Sequence, residues 1–172
     1  MEESSGIRRF VEALSTCHRV SLDTNAVIYY LSSTGPYGVL MGHLFRLVEQ
    51  GSLDVVLSSI VQMELLIAPI KRGDSDAFAE VIDFTEKTPN LRTIDSSRSI
   101  VLQAAFARAD GLEVPDSLIV ATGIVAQCDA IVTNDGRWRG ALRRMTQRQP
   151  MVQGDAPLTL PPILYLDNFV DS

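Results

Sequence analysis

Cysteine and histidine are scarce in this 172-residue chain. The two cysteines, Cys17 and Cys128, lie far apart and match no metal-binding cysteine motif, so we expect reduced thiols. The two histidines, His18 and His43, stand in no recognisable zinc-binding motif. These absences exclude the small disulfide-rich class of protein and argue against a zinc site.

Long hydrophobic runs are also missing. The longest apolar stretch covers 118–126, far short of the roughly 20 residues that span a bilayer. The N-terminus carries Glu2 and Glu3 and has no apolar signal core. We therefore expect a cytoplasmic protein with no membrane span. Because 46% of the residues are hydrophobic, the chain can bury a sizeable core and does not belong to the disordered class.

The net charge of −6 taken alone argues against nucleic-acid binding, because a phosphate backbone normally meets a basic face. Lys71 and Lys87 are the only lysines, so arginine, which makes bidentate contacts to phosphate, supplies most of the positive charge. Five arginines fall within 137–148, which contains no acid: Arg137, Arg139, Arg143, Arg144 and Arg148. Two interpretations of this run stay open. In the first, the run binds a nucleic-acid backbone and Trp138 stacks on a base. In the second, it is a solvated face or an unrelated docking surface.

Short apolar runs alternate with stretches of helical spacing along the chain. We predict strands over 20–22, 54–57, 91–94, 130–133 and 163–166. We predict helices over 26–31, 39–49, 60–68, 74–87, 97–109 and 115–127, with a break at Gly35-Pro36 and a short arginine-rich helix after 136. This alternation predicts an α/β fold in which a parallel sheet of about five strands carries helices on both faces.

Two segments are expected from the pattern. Residues 1–18 form an N-terminal helical extension, capped by Ser4 or Ser5. Its apolar stripe has helical spacing: Ile7, Phe10, Val11 and Leu14. Residues 19–172 form a single domain, since no linker or internal repeat divides them.

Four acidic residues lie at the ends of predicted elements. Asp23 directly follows the first strand, Asp135 follows the fourth, and Glu64 lies early on the helix after the second. In a parallel sheet these positions share the carboxyl edge, where ligands bind. Asp116 opens the helix that leads into the fourth strand, so it joins the others only if the preceding helix has brought the chain back to that edge.

Each acid also has a simpler explanation. Asp23 and Asp116 are good helix caps, Asp135 before Gly136 suits a turn, and Glu64 fits the solvent edge of its helix. If the four do meet, their carboxylates repel one another and raise each other's pKa. Mg²⁺ or Mn²⁺ removes that penalty, because these ions prefer oxygen ligands.

Two early stretches that contain these acids are Leu22-Asp23-Thr24-Asn25 and 59–65, Ser-Ile-Val-Gln-Met-Glu-Leu. They resemble the first two motifs of PIN-domain nucleases. The closing pair is the most specific: 115–123, Pro-Asp-Ser-Leu-Ile-Val-Ala-Thr-Gly, followed by 131–135, Ile-Val-Thr-Asn-Asp. The likeness covers roughly 19–140. The chain departs from the family pattern at Gly123, where alanine is common, and at Gly136-Arg137-Trp138, which replaces a polar–aromatic ending.

The resemblance implies a three-layer α/β/α fold and a site that binds Mg²⁺ or Mn²⁺. Carried over by position, the catalytic metal ligands are Asp23, Glu64, Asp116 and Asp135, with Thr24, Thr133 and Asn134 as accessory groups. The family fold also places Asp116 beside the other acids. The implied activity is a metal-dependent endoribonuclease that hydrolyses RNA.

The biological role stays open at this stage. One role is a VapC-like toxin, with an antitoxin partner and a homodimeric state implied by the resemblance. Others are a housekeeping RNA-processing nuclease and a non-catalytic binding module on the same scaffold. A receiver-like domain with Asp23 as phosphorylated nucleophile is disfavoured, because no lysine follows the later strands.

Overall fold

A single five-stranded sheet forms the centre of the molecule. The computed structural model describes residues 4–33, 35–147 and 159–170. The strands are β1 (Arg19–Leu22), β2 (Asp54–Ser58), β3 (Leu91–Ile94), β4 (Ala130–Thr133) and β5 (Ile163–Tyr165), and every pairing is parallel. The predicted α/β fold with about five parallel strands is therefore confirmed.

The strand order is β3-β2-β1-β4-β5. The chain builds outward from β1 to β3 and then returns to add β4 on the other side of β1. Ser21 of β1 is thus in register with Val56 of β2 and with Ile131 of β4. The reversal of strand order between β1 and β4 creates a switch point, and in such sheets a crevice opens there beyond the carboxyl ends of the strands.

Eight helices flank the sheet within the described residues: α1 (Ser5–Ser15), α2 (Thr24–Ser32), α3 (Gly35–Glu49), α4 (Ser59–Arg72), α5 (Ser75–Lys87), α6 (Arg98–Ala109), α7 (Val114–Val125) and α8 (Trp138–Gln147). A 3₁₀ helix, Leu166–Phe169, follows β5. Side chains cap several of their N-termini, with Ser58 accepting from the N–H of Ile60 and Ser97 from that of Ile100. None of the helices in the described part of the chain is long and apolar enough to cross a membrane.

Two helices differ from the predicted bounds by more than two residues. Gly35-Pro36 was expected to break the chain, yet α3 begins there, because the fixed φ of proline suits the first turn of a helix. Helix α4 was expected to end near Pro69 but continues to Arg72 and ends at Gly73, whose φ of +64° suits a C-cap. Both corrections move helix ends without changing the topology.

The N-terminal helix shares the main core. Ser4 caps α1 as predicted, and Phe10 and Leu14 on its apolar face are fully buried. Phe10 packs against Phe169 with ring centroids 5.1 Å apart. Helix α1 therefore covers α3 and the 3₁₀ helix, and its apolar stripe packs against the rest of the chain.

Candidate functional site

Asp23 lies at the centre of the carboxyl edge, between β1 and β4. Its backbone N–H donates to the carbonyl of Val132, 2.9 Å away. Its carboxylate accepts the backbone N–H of Thr24 at 2.7 Å, capping α2, and the hydroxyl of Thr133 at 2.7 Å. Burial raises the pKa of Asp23 to about 6, and the charges of Asp116 and Glu64 add to the effect against the two hydrogen bonds. Such a carboxylate is costly to ionise without a nearby cation.

Glu64 is joined to Asp23 through the start of α2. The hydroxyl of Thr24 donates a hydrogen bond to Oε2 of Glu64. Because Thr24 is the first residue of α2 and Glu64 lies in the second turn of α4, this bond ties the two helices together beside Asp23. Glu64 is therefore brought to the same edge as Asp23, as the strand pattern predicted.

Thr133 connects Asp23 to Asp135. While its hydroxyl donates to Asp23, its Oγ1 accepts the backbone N–H of Asp135 at 2.9 Å. Asp135 is mostly buried and lies in a turn, accepting the backbone N–H of Arg137 at 2.9 Å. The turn interpretation of Asp135 is therefore confirmed, and the turn places the residue beside Thr133 at the carboxyl edge.

Asp135 also forms an ion pair with the Arg137 side chain. Nε of Arg137 lies 3.0 Å and 2.9 Å from the two carboxylate oxygens, and Nη2 lies 2.5 Å from Oδ2. The guanidinium hydrogen bonds hold the pKa of Asp135 below its usual range. The Arg137 side chain is itself 74% exposed, so the carboxylate, and not packing, fixes its position.

Asp116 reaches the same edge from the first turn of α7. Helix α6 ends beside α8, where Arg144 donates to the carbonyl of Asp110 at 2.6 Å and 3.1 Å. The chain has therefore returned to the carboxyl side of β4 before α7 begins. Burial raises the pKa of Asp116, and the charge of Asp135 raises it further, while the indole N–H of Trp138 opposes the shift. Asp116 thus lies near both Asp135 and Asp23.

Trp138 turns inward beneath this edge. Its side chain is fully buried, and among the described residues its indole nitrogen makes no hydrogen bond of good geometry, although the N–H lies close enough to Asp116 to oppose the rise in that residue's pKa. A buried ring cannot stack on a base, so that predicted role of Trp138 is wrong. The physical reason is the apolar face of α8, which buries Trp138, Ala141, Leu142 and Met145 at helical spacing.

The arginines of α8 have different surroundings. Arg139 lies over the ring of Tyr165, 3.7 Å from its centroid, and donates to Asn168 at 3.3 Å. Arg144 donates to the carbonyl of Asp110 at the end of α6. Arg143 is exposed, and Arg148 lies outside the described residues.

Asn134 serves the surrounding scaffold. Its amide nitrogen donates to the Tyr29 hydroxyl at 3.4 Å, and its oxygen accepts the backbone N–H of Asp167 at 3.1 Å. Tyr37 donates to Asp167 at 2.6 Å, which raises the pKa of the Tyr37 hydroxyl. Our sequence analysis missed Tyr29, Tyr37 and Asp167. Asp167 could have been found by the rule used for Asp23, since it follows a strand at the same edge.

The donor set suits a divalent cation with oxygen ligands. Three acids are gathered around the hydroxyls of Thr24 and Thr133, Asp116 lies beside them, and the raised pKa of Asp23 is the cost that such a cation would relieve. In the described ranges no three acidic, histidine or cysteine side chains already form a metal-binding group. Instead, Arg137 holds Asp135 and Thr24 holds Glu64. The residues therefore fit the ion by chemistry and location, and the carboxylates of Asp23, Glu64 and Asp135 are each hydrogen-bonded within the chain.

Solved structures with this fold come from several bacteria. The FitAcB structure from Neisseria gonorrhoeae matches with a TM-score of 0.58 and 17% identity, over 86% of this chain and 97% of the other. DNA-bound VapBC from Salmonella typhimurium gives 0.57 and 19%, over 86% and 98%. VapBC2 from Rickettsia felis, bound to a promoter DNA fragment, gives 0.54 and 21%, over 68% and 87%. At these identities the matches establish the fold.

Comparison with curated proteins finds no sequence match. The model of one family, the PIN domain, does match, over residues 20–142. That range includes all four acids and both closing motifs, and it covers most of the chain. The resemblance inferred from the motifs is thus confirmed, and this chain belongs to the PIN domain family.

Proposed function

We propose that the protein is an endoribonuclease that depends on Mg²⁺ or Mn²⁺. The observation that carries the proposal is the hydrogen-bonded chain from Glu64 through Thr24 and Asp23 to Thr133 and Asp135, with Asp116 beside it. PIN-domain proteins are generally nucleases that use divalent metals, and this chain belongs to that family. Burial and neighbouring carboxylates raise the pKa of both Asp23 and Asp116, which destabilises a metal-free protein at neutral pH, and a purely structural role does not account for that cost.

In this proposal the chain's own residues have separate tasks. Asp23, Glu64, Asp116 and Asp135 would hold the cation. A bound divalent ion supplies Lewis acidity, which polarises a phosphodiester and lowers the pKa of an attacking water. The Thr133 hydroxyl orients Asp23, the Thr24 hydroxyl orients Glu64, and the buried Trp138 supports Asp116 from below.

RNA is the proposed substrate, and exposed arginines at the rim of the site would contact its backbone. Arg143 on α8 is exposed and would contact the RNA backbone. Arg139 instead packs on Tyr165, and Arg144 donates to the carbonyl of Asp110 at the end of α6. The net charge of −6 does not argue against this contact. Association with RNA depends on the electrostatic potential near the site and not on the charge of the whole chain.

The first test is a cleavage assay on the purified chain. Single-stranded RNA and DNA of the same sequence are incubated with Mn²⁺, with Mg²⁺ and with EDTA. We expect RNA to be cut internally with either metal and to stay intact in EDTA, because the acids alone offer no Lewis acid. Cleavage that EDTA leaves unchanged, or RNA left intact with every metal, would contradict the proposal.

A toxin role with an antitoxin partner is the physiological proposal. Two of the similar structures are VapBC complexes. The helices that carry Thr24 and Glu64 also expose apolar side chains: Ile28 and Leu31 on α2, and Met63, Ile67 and Ile70 on α4. A partner segment there would lie beside the acids and block them.

We expect expression of the chain to arrest bacterial growth and co-expression of a small neighbouring gene product to restore it. Growth curves with and without induction provide the measurement, and an Asp116→Asn variant is the matched control. Harmless expression of an RNA-cleaving wild type would favour the housekeeping role instead.

A further inference from the structure

The contact between Arg137 and Asp135 is unusual for a prospective metal ligand. Both carboxylate oxygens of Asp135 face the guanidinium, and Oδ1 also accepts the backbone N–H of Arg137. A carboxylate offers about four lone-pair positions. The side chain of Arg137 therefore occupies the positions through which Asp135 would bind a cation.

The guanidinium can leave at low cost. Among the described residues, only the Asp135 carboxylate and electrostatic attraction to Asp116 and Glu113 hold it, and three-quarters of its side chain faces solvent. The Asp135 carboxylate is only 10% exposed and the contact is bidentate, so we place the pair at the upper end of the range of about 0–1 kcal/mol for surface ion pairs. The backbone N–H bond from Arg137 would keep Asp135 in place after the side chain has moved.

We propose that Arg137 is an internal counter-ion that holds Asp135 while no metal is bound and is exchanged for the divalent cation. The inference rests on the proposed function and adds a regulatory element to the same site. One positive group therefore neutralises Asp135 in each state. Exchange makes metal binding weaker than the four acids alone would allow, and so ties occupancy of the site to the metal concentration.

A merely structural arginine would behave in the opposite way. If Arg137 served to orient Asp135 for the metal, its removal would loosen a ligand and weaken binding, as loss of a supporting residue does. If Arg137 competes with the metal, its removal frees the ligand and strengthens binding. The direction of the change in metal affinity therefore separates the two roles.

The test is calorimetric titration of Mn²⁺ into the full-length wild type and the Arg137→Gln variant, both freed of metal beforehand. We expect the dissociation constant of the variant to be about fivefold lower, which corresponds to the upper range for an exposed ion pair. An Arg137→Lys variant, which keeps the charge without the bidentate fork, should give an intermediate value. Thermal melts of each metal-free protein verify that the fold is intact.

Arg98→Gln is the matched control, because it removes the same charge from an exposed position and Arg98 forms no ion pair within the described part of the chain. Its dissociation constant should stay within about twofold of the wild type, as expected for a screened surface charge. Equal or weaker Mn²⁺ binding by Arg137→Gln would overturn the inference and leave the proposed function standing. No Mn²⁺ binding by either the wild type or Arg137→Gln would overturn both.

Discussion

Replacing Asp116 with asparagine is expected to reduce Mn²⁺-dependent RNA cleavage at least about 100-fold, since a lost metal ligand costs more than a lost supporting residue. The asparagine amide keeps the size of the side chain but removes the charge that a cation needs. The fold should persist, because Asp116 forms no side-chain cap of α7. Burial and the charge of Asp135 raise the pKa of Asp116, so removing its charge does not remove a stabilising interaction. Initial cleavage rates and a thermal melt give the two measurements.

Glu113→Gln is the matched control for this experiment. Glu113 is the exposed N-cap residue of the same helix, forms no side-chain cap bond, and adds to the negative charge around Asp116. The substitution removes one charge at nearly the same place without touching the proposed ligand set. We expect its cleavage rate to stay within about twofold of the wild type. A folded Asp116→Asn variant that cuts RNA as fast as Glu113→Gln would show that the ligand assignment is wrong.

Three of the four acids could be located from strand pattern alone. Asp23 and Asp135 follow apolar runs that are buried on both faces, and Glu64 lies just after another. Such runs identify parallel strands, and parallel strands share a carboxyl edge. The pattern therefore predicts which residues lie at the edge without any knowledge of strand order.

Asp116 could not be located in this way. Local periodicity shows that 97–109 and 115–127 are helical, but it does not show the direction in which either helix runs. Two successive helices between β3 and β4 can leave the chain at either edge of the sheet. The contact of Arg144 with the end of α6 resolves the direction, and it joins residues 34 positions apart.

The role of α8 shows a different limit. We interpreted 137–148 from its charge, although Trp138, Ala141, Leu142 and Met145 already had the spacing of a buried face. That signal was present and would have placed the Trp138 ring in the core. The Arg137 contact had no such signal, because the same Asp-Gly-Arg sequence also fits an arginine that points to solvent.

The last prediction concerns stability without metal. The pKa of Asp23 is about 6 in the folded protein, against about 3.9 in an unfolded chain. A raised acid pKa means that the folded state binds the proton more tightly than the unfolded state. The contribution of Asp23 to stability is thus fully present below pH 4 and is lost as the pH rises through 6. The loss amounts to about 3 kcal/mol, since each pKa unit corresponds to about 1.4 kcal/mol.

Asp23→Asn removes this titration, so the variant should gain on the wild type as the pH rises. In EDTA, we expect the free energy of unfolding of the variant minus that of the wild type to increase by about 2 kcal/mol between pH 4 and 7. The pKa of Asp135 is lowered, so its contribution to the free energy of unfolding is lost as the pH falls. Asp135 is present in both proteins, and this contribution cancels in the difference. Urea unfolding at four pH values gives the measurement. A difference that does not change with pH would show that Asp23 carries no such cost. When Mn²⁺ is added at pH 7, we expect it to stabilise the wild type more than the variant, because the ion binds the folded carboxylate.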